Sequence, residues 1–266
     1  MSEPPLKITV ATVTYNAAAL MERTIASVEE QNYRHVEHII VDGNSEDSTL
    51  ELIHHYQERN SVAGIRHEIA CLSEPDNGLY DAMNKAIDMA TGHYIVFLNA
   101  GDRFHSADTL SLIARAATEV RTAGTALPAV VYGDTHLVDN MGNFIRRRRL
   151  TPPERLGWRS FRHGMLVCHQ AFFARTDLAR NCRYDLRYRF SADFDWCIRI
   201  MREARRQKAA LKNAHTVVTD YLNEGMTTRH HKASLNERFR IMTRHYGWPV
   251  TLVMHGWFVI RGILKK

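Results

Sequence analysis

Short apolar runs alternate with amphipathic segments along the first part of the chain. The runs Ile8–Val13 and Tyr94–Leu98 are almost wholly apolar, which is typical of strands buried on both faces of a sheet, and Val36–Val41 is predicted as a further strand. Between them, apolar side chains recur at helical spacing and predict helices that begin soon after Asn16 and Ser45. Asn16 is a candidate N-cap for the first helix. This alternation predicts an α/β fold with a doubly wound, mostly parallel sheet flanked by helices.

A second pattern fills the stretch Ser73–Asp102, where a polar loop leads into an amphipathic helix and then a buried strand. Tyr80 and Ile87 recur at helical spacing and belong to the apolar face of this helix. Gly92 is predicted to close the helix, because glycine readily adopts positive φ at a helix C-terminus. The strand ends in an acidic turn, which brings Asp102 to the edge where open α/β sheets bind ligands.

The second half of the chain continues the mixture of strands and helices and ends in an apolar tail. The predicted elements are a helix over Thr109–Val120, strands over Ala129–Val138, Gly164–Ala174 and Leu211–Leu222, a hairpin turn over Asp139–Asn143 and a helix over Ser234–Tyr246. The polar pair His169 and Gln170 interrupts the second of these strands. We expect residues 1–246 to fold as one domain and residues 247–266 to form a helical tail.

Composition and charge narrow the class of partner. The chain has 266 residues, of which 45% are hydrophobic and 24% charged, as in ordinary soluble globular proteins. Its 35 lysines and arginines exceed its 29 acidic residues, which gives a net charge of +6. A basic surface favours phosphate-bearing ligands and anionic membranes, and it would also suit nucleic acid. The sequence has neither an aromatic-interleaved RNA motif nor zinc-finger spacing, so we expect no nucleic-acid partner.

The cysteines and the amino terminus indicate the compartment. Four isolated cysteines, with no C-x-x-C pair, favour reduced thiols over a disulfide framework. The first residues lack the apolar core of a signal peptide. We therefore expect a cytoplasmic protein.

The ends of the first two strands carry side chains that suit a nucleotide. The carboxylate of Asp42 could accept the ring N–H of a base or hold a ribose hydroxyl, and Tyr15 could supply a flat wall for the base. The chain has no G-x-G-x-x-G after the first strand and no G-x-x-x-x-G-K-[ST] anywhere. These absences exclude dinucleotide oxidoreductases and P-loop enzymes.

Four segments of the chain resemble the family 2 glycosyltransferases. They are Val13–Asn16, Val41–Ser45, Asp76–Lys85 and Phe97–Asp102. The motifs D-N-G-x-Y-D-A-M-N-K and F-L-N-A-G-D are most similar to those of the branch that builds bacterial surface polysaccharides, including colanic-acid-type enzymes. The strong part of the resemblance covers roughly residues 8–102, and a weaker match continues to about residue 245.

The resemblance implies the GT-A fold, a nucleotide-sugar donor and a divalent metal ion. In that fold, residues 1–102 would form the nucleotide-binding half and residues 103–246 the acceptor half. Asp102 matches the metal ligand and would hold Mn²⁺ or Mg²⁺ against the donor diphosphate. Asn99 and Gly101 stand where many members carry Asp, so a catalytically weak sugar-nucleotide-binding protein is the first alternative. The residues that match the donor site are Thr14, Tyr15, Asn16, Asp42, Asn44, Asp76, Gly78, Asp81, Asn84, Lys85, Asn99 and Ala100.

The resemblance also implies a catalytic base and an acceptor site. By position Asp193 matches the base of the family's E-D motif, with Ala192 in place of the Glu, and Asp195 is the alternate candidate. Both acids also suit the first turn of a helix, where the helix dipole stabilises negative charge. His169 and Gln170 match a pair near the acceptor pocket and would bind acceptor or diphosphate, although buried histidines are more often ordinary core residues.

Three further segments each have two interpretations. Arg146–Arg149 is either a solvated edge that blocks strand pairing or a contact for lipid phosphate. Arg229–Lys232 is either an exposed loop or a set of diphosphate donors, in which His230 or His231 could complete a metal site. Trp248–Ile260 is shorter than the ~20 residues of a membrane span and is either a membrane-interfacial segment or a last packed helix.

Together these residues predict an inverting glycosyltransferase that moves a sugar from a UDP- or GDP-sugar to a hydroxyl of a glycan or lipid-linked saccharide. In this hypothesis the enzyme acts in bacterial surface polysaccharide biosynthesis, in contact with the inner face of the membrane. A nucleotidyltransferase is the second alternative, but the chain lacks a Gly-rich, Lys/Arg-bearing loop after the first strand. The hypothesis requires Asp42, Asp102 and Asp193 to converge around one sugar nucleotide.

Overall fold

The computed structural model describes residues 5–62, 67–119, 126–223 and 231–263, which form a central sheet covered by helices. The strands are β1 (Ile8–Thr14), β2 (Val36–Asp42), β3 (Glu68–Ser73), β4 (Tyr94–Phe97), β5 (Arg103–Phe104), β6 (Val130–Val138), β7 (Phe144–Arg147), β8 (Phe172–Arg175) and β9 (Leu211–Leu222). The helices are α1 (Ala18–Glu29), α2 (Thr49–Val62), α3 (Leu79–Met89), α4 (Thr109–Thr118), α5 (Thr176–Asn181), α6 (Ala192–Arg206), α7 (His231–Tyr246) and α8 (Trp248–Ile263). Two 3₁₀ helices, Trp158–His163 and His169–Ala171, precede β8.

Across the described ranges the strands form one nine-stranded sheet in the order β3-β2-β1-β4-β8-β6-β9-β5, with β7 paired to β6. The strands β1, β2, β3 and β4 are parallel, whereas β8 runs antiparallel to both β4 and β6. Parallel strands joined by crossover helices bring their carboxyl ends to one edge of the sheet, which is where ligands bind in open α/β folds.

The strand side chains alternate between two apolar layers. Ile95 and Phe97 of β4 lie in a cluster with α3 and α6, around the fully buried Trp196. Tyr94 and Val96 lie in a second cluster, on the other face, with α4. Burial on both faces explains why the sequence of β4 is a continuous apolar run.

Two strand predictions need correction. The sequence pattern does not predict β3, because this edge strand is only partly buried and carries a mixed sequence with a charged first residue. Residues 164–168 do not form a strand, and only Phe172–Arg175 joins the sheet. His169 and Gln170 instead form part of a 3₁₀ helix. Their side chains are hydrogen-bonded to the buried carboxylates of Asp193 and Asp102.

Two residues have structural roles different from those predicted. The helix α3 ends at Met89, and Gly92 does not have positive φ. A Cβ at Gly92 would lie 2.7 Å from the backbone nitrogen of Thr9, so glycine is required there by close approach. The N-cap of α1 is Ala17; Asn16 instead has φ 47° and accepts the Glu46 N–H through Oδ1 at 2.9 Å.

The hairpin and the tail follow the sequence pattern. The strands β6 and β7 are joined through Asp139–Asn143, and all four residues of β7 are exposed. The tail forms α8, which packs on α7 with the His255 ring against Phe239 and with Thr251 and Met254 buried. Within the described part of the chain, the helices are all too short or too polar to cross a bilayer.

Candidate active site

A cavity of about 460 Å³ opens where β1 and β4 end. Its walls come from the loops after these two strands, the start of α3, the His169–Ala171 turn, the start of α6 and the end of β9. The predicted site residues that line it are Thr14, Tyr15, Asp76, Gly78, Asn99, Ala100, Asp102, His169, Gln170 and Asp193. The volume falls within the range typical of small-molecule sites.

Asp193 is held on the cavity wall by two polar side chains. The Tyr80 hydroxyl donates to its Oδ1 at 3.1 Å, and His169 Nδ1 lies 3.2 Å from its Oδ2. Burial alone would raise the pKa of Asp193, but the hydrogen bond and charge of His169, together with the charge of Arg238, bring it below its usual value. Asp193 is therefore an ionised carboxylate that retains 9% exposure to the cavity.

The loop before α6 is fixed by α7, which determines the direction of Asp193. Glu237 accepts the backbone N–H groups of Arg189 and Phe190, each at 2.8 Å. The Ser191 hydroxyl, one residue further on, is paired with that of Ser234 at 2.8 Å. These contacts orient the first turn of α6.

Asp195, the alternate candidate for the base, is held in a buried ion-pair network. Its carboxylate is fully buried and lies 2.5 Å from Arg199 Nε and 2.7 Å from His245 Nε2. Asp195 is not among the residues that line the cavity. Of the two acids in this turn, the structure therefore directs only Asp193 to the site.

Asp102 is the second carboxylate of the cavity and is more deeply buried. The Leu222 N–H donates to its Oδ1 and Gln170 Nε2 to its Oδ2, both at 2.9 Å. Burial is the main cause that raises the pKa of Asp102 to about 6, against the lowering effect of these hydrogen bonds. The preceding Gly101 has φ 96°, a conformation that strains other residues.

Asn99 is linked to Asp193 through His169 and offers an oxygen to a cation. Its amide nitrogen lies 3.4 Å from His169 Nε2, so Asn99, His169 and Asp193 form one polar chain. Its Oδ1 is buried and has no hydrogen-bond partner among the described residues. An amide oxygen without a partner, in the same cavity as the buried Asp102 carboxylate, fits a hard divalent cation, which prefers oxygen ligands.

The predicted nucleotide-side residues of the cavity supply a wall and hydrogen-bonding groups. Tyr15 is 63% exposed, and the buried hydroxyl of Thr14 has no partner among the described residues. The Gly78 N–H donates to Asp76 Oδ1 at 2.7 Å. Gly78 has φ 111° as the N-cap of α3, so glycine is required at this turn.

The structure does not place Asp42 in the cavity. Its carboxylate is buried and accepts hydrogen bonds from the Ser45 N–H and from the hydroxyls of Ser45 and Ser73. It shapes the site indirectly, because the following Gly43 lies against Asp76 and Tyr15. Only Asp102 and Asp193 of the expected three acids converge on the cavity.

Five other predicted donor residues also lie outside the cavity lining. Asn16 bridges to the β2–α2 loop, and Asn44 is exposed with φ 65°. Asp81 accepts the Asn77 N–H, Lys85 binds Glu74 and the Pro75 carbonyl, and Asn84 exchanges two hydrogen bonds with the Tyr184 backbone. These contacts stabilise the loop before α3 and the packing of α3. Residues 224–230 and the side chain of His231 lie outside the described residues.

A comparison with known protein families identifies the family to which this chain belongs. The profile described as "Glycosyl transferase family 2" matches residues 9–182. This chain belongs to glycosyltransferase family 2. The predictions of family membership and of a glycosyltransferase activity are confirmed, and Asp193 lies just beyond the matched segment.

Two relatives of this glycosyltransferase are named for roles in glycolipid and polysaccharide biosynthesis. It is 32% identical over 222 residues to a "PGL/p-HBAD biosynthesis glycosyltransferase" of Mycobacterium bovis (strain BCG / Pasteur 1173P2), covering 83% of this chain and 78% of the relative. It is 28% identical to the "Amylovoran biosynthesis glycosyltransferase AmsB" of Erwinia amylovora, covering 73% of this chain and 64% of the relative.

Solved structures confirm the predicted glycosyltransferase fold. S. aureus TarS 1-349 in complex with UDP-GlcNAc matches 89% of this chain and 64% of that one, with a TM-score of 0.63 and 16% identity. The mannosyltransferase PcManGT from Pyrobaculum calidifontis, in complex with GDP-Man and Mn²⁺, matches 95% of this chain and 69% of that one, with a TM-score of 0.64 and 17% identity. The family 2 chain spans only 38% of the longer TarS chain.

Tyr80, Tyr221 and Leu222 are among the residues of the glycosyltransferase cavity that sequence reasoning misses. The sequence pattern assigns Tyr80 to the core because it lies on the apolar face of α3, yet its hydroxyl donates a hydrogen bond to Asp193. Tyr221 and Leu222, which lie at the end of a strand with no motif, also line the cavity. Only the position of Tyr80 within a matched motif could have indicated it.

Proposed function

We propose that this glycosyltransferase moves a sugar from a nucleoside diphosphate sugar to a hydroxyl of a lipid-linked or glycan acceptor, with inversion. The observation that supports this is the position of an ionised carboxylate, Asp193, in one cavity with the metal-type oxygens of Asp102 and Asn99. One end of such a cavity can bind a diphosphate while the other takes up a proton. The relatives in glycolipid and amylovoran biosynthesis support a saccharide acceptor destined for the bacterial surface.

The donor would bind with its nucleotide in the half formed by residues 1–102 and its sugar near residues of the second half. Tyr15 would cover the base, and the unpartnered Thr14 hydroxyl would bond the nucleotide. A UDP- or GDP-sugar is supported by the ligands of the solved structures with the same fold.

A divalent ion, Mn²⁺ or Mg²⁺, would be held by Asp102 and Asn99 and would neutralise the diphosphate leaving group. Gln170 and the Leu222 N–H orient the Asp102 carboxylate by bonding one oxygen each. Each carboxylate oxygen has a further lone pair, so these hydrogen bonds leave Asp102 free to bind a metal ion. His169 links this end of the cavity to Asp193 and would lie between the diphosphate and the acceptor.

Asp193 would act as the general base. As the acceptor oxygen bonds to the anomeric carbon, its proton moves to an Asp193 oxygen, and the bond from that carbon to the phosphate oxygen breaks. A single displacement on the face opposite the leaving group inverts the anomeric centre. The lowered pKa keeps Asp193 ionised at neutral pH, so the base is always available.

A panel of nucleotide sugars, tested for thermal stabilisation with and without Mn²⁺ and then for donor turnover, examines this function. A bound donor raises the melting temperature by mass action. We expect stabilisation that depends on Mn²⁺, followed by release of the nucleoside diphosphate. Stabilisation without turnover would favour a sugar-nucleotide-binding protein, and pyrophosphate released from a nucleoside triphosphate would favour a nucleotidyltransferase.

We also propose that α8 binds an anionic phospholipid surface, which would place the enzyme on the cytoplasmic face of the membrane. One side of α8 packs on the protein, while the other exposes large apolar side chains. The exposed set is Trp248, Val250, Leu252, Val253, Trp257, Val259 and Ile260. An apolar helix face with aromatic residues is typical of a membrane-interfacial helix.

Basic side chains beside α8 complement an anionic surface. Burial lowers the pKa of His163, and the charges of Arg162 and Arg261 add to this lowering, so both arginines lie near His163. Two more cations, Arg159 and Arg202, lie over the ring of Trp158 in the 3₁₀ helix that contacts α8. Cations at the edge of an apolar face favour anionic headgroups.

Sedimentation with vesicles tests this surface. We expect the protein to bind phosphatidylglycerol vesicles, and Val253→Asp to weaken that binding by at least about tenfold through loss of apolar contact. Val62→Asp, a change at another exposed valine, is the matched control. Equal binding by the wild type and Val253→Asp, or no preference for anionic over zwitterionic vesicles, would contradict the proposal.

A further inference from the structure

A group of metal-ligating side chains lies on three neighbouring strands beside the cavity. His136 of β6 is paired with Asp220 of β9 in the parallel register, and Arg103 of β5 is paired with Asp220 on the other side. His105 directly follows β5. His105, His136 and Asp220 each offer one ligand atom, and these atoms lie within 4.8 Å of one another.

This group is separate from the cavity that contains Asp102. Asp220 is 3% exposed and does not line the cavity, whereas Tyr221, the next residue on β9, does. Successive side chains of a strand point to opposite faces, so Asp220 and Tyr221 serve different sites. None of the three clustered residues takes part in the proposed sugar transfer.

We propose that His105, His136 and Asp220 form a second metal site, which takes a zinc-type divalent ion. Two imidazoles and one carboxylate are a ligand set that zinc accepts, with a remaining position for water. Bonds of about 2.1 Å in a tetrahedral site place ligand atoms about 3.4 Å apart. His105 Nδ1 and Asp220 Oδ1 are 2.8 Å apart and the three ligand atoms lie within 4.8 Å of one another, so side-chain shifts of roughly 1 Å are needed to reach this geometry.

Arg103 orients the carboxylate and influences which metal binds. Its Nε and Nη2 lie 2.9 and 2.8 Å from Asp220 Oδ2, which leaves Oδ1 directed at the histidines. A bonded partner behind a ligating carboxylate fixes its orientation. The positive charge of Arg103 weakens the attraction of this carboxylate for any divalent cation, so binding depends on the imidazole nitrogens, which favour zinc over Mg²⁺.

Metal binding at this site would link three strands. The nitrogen that ligates must carry a free lone pair, so each histidine would bind the ion as the neutral imidazole with its proton on the other ring nitrogen. Access is open, because His105 is exposed. The ion would tie β5, β6 and β9 together next to Leu222, whose N–H supports Asp102. The site therefore has a structural role, independent of the proposed function.

Calorimetric titration of the metal-free protein with Zn²⁺ tests this site. We expect one ion to bind, with His105→Ala and His136→Ala each weakening its affinity at least tenfold. His54→Ala, at an exposed histidine of α2, is the control and should bind as the wild type does. Circular dichroism verifies that each variant is folded, and Asp102→Asn should retain the ion because the two sites are separate.

Two results would overturn the proposal. The first is the absence of Zn²⁺ binding by the folded wild type. The second is equal Zn²⁺ affinity in the wild type, His105→Ala and His136→Ala, which would place the ion elsewhere. Loss of the ion in Asp102→Asn together with its retention in both histidine variants would assign it to the cavity instead. Excess Mg²⁺ should leave the Zn²⁺ affinity within about threefold.

Discussion

At the scale of single residues, the Tyr80 hydroxyl is the contact that best separates a catalytic from a structural role for Asp193. It donates to Asp193 at 3.1 Å, and its ring stacks on Tyr184 at 5.3 Å. Tyr80→Phe keeps the ring and removes the hydrogen bond. We expect kcat to fall about tenfold, or about 1.4 kcal/mol, with little change in the donor KM, because a bond to a charged group is lost.

Tyr184→Phe is the matched control for this prediction. The Tyr184 hydroxyl is buried and has no partner among the described residues, so its removal should leave kcat unchanged. Steady-state kinetics of both variants make the comparison. Equal kcat in Tyr80→Phe and the wild type would show that the hydroxyl does not position the base.

The sequence predicts which residues of the cavity carry charge but not every side-chain direction. Asp102 and Asp193 are found through motifs and strand ends, and both face the cavity. Asp42 occupies an equivalent strand end, yet Ser45 and Ser73 bind its carboxylate. Orientation here depends on hydrogen bonds with residues of neighbouring loops, which no local pattern contains.

At the scale of elements, Gly92 sets the approach of the α3–β4 connection to β1. A Cβ at this position would lie 2.7 Å from both the nitrogen and the Oγ1 of Thr9. We expect Gly92→Ala to lower the free energy of unfolding by about 2 kcal/mol, because overpacking forces the backbone apart. Urea unfolding measures this change. Gly256→Ala, in α8 with no atom within 4 Å of its Cβ, is the control and should not destabilise the protein.

The buried His38 of β2 makes stability depend on pH. Its ring nitrogens contact Thr12 and Tyr56, and burial is the main cause that lowers its pKa to about 3, with the charge of His67 adding to it. The unfolded chain takes up a proton below about pH 6.5, whereas the folded chain does not until pH 3. The contribution of the neutral His38 to the free energy of unfolding is therefore fully present above pH 6.5 and is lost as the pH falls toward 3.

Urea unfolding between pH 7 and pH 5 tests this dependence. Below pH 6.5, His38 should contribute a loss of about 1.4 kcal/mol per pH unit, so the slope for His38→Gln should be smaller by that amount. His54→Gln, at an exposed position, should keep the slope of the wild type. Identical slopes in the wild type and His38→Gln would contradict the account.

The sequence predicts the central strands well and the edges less well. The strands β1, β2 and β4 are fully buried, and β1 and β4 appear in the sequence as nearly continuous apolar runs, whereas β3 is a partly exposed edge strand with a mixed sequence. The 3₁₀ turn at His169 depends on distant carboxylates, so it reads as an interrupted strand. Local patterns identify elements whose environment is uniform along their length.

At the scale of the whole molecule, the cavity joins parts of the chain that are far apart in sequence. The family match ends at residue 182, yet the proposed base is Asp193, and α7 fixes its loop through Glu237 and Ser234. The proposed nucleotide side of the cavity comes from the loops after β1 and β4. Sugar transfer would therefore depend on the packing of α6 and α7 against the parallel half of the sheet.

The central claim is that Asp193 accepts the acceptor proton, and Asp193→Asn tests it most directly. Transfer turnover and the donor dissociation constant are measured on the same preparation, with Mn²⁺ present. We expect turnover to fall by about 10³-fold, a typical loss for a general base, while the donor dissociation constant stays within about threefold. Turnover within tenfold of the wild type would contradict the assignment of Asp193 as the base.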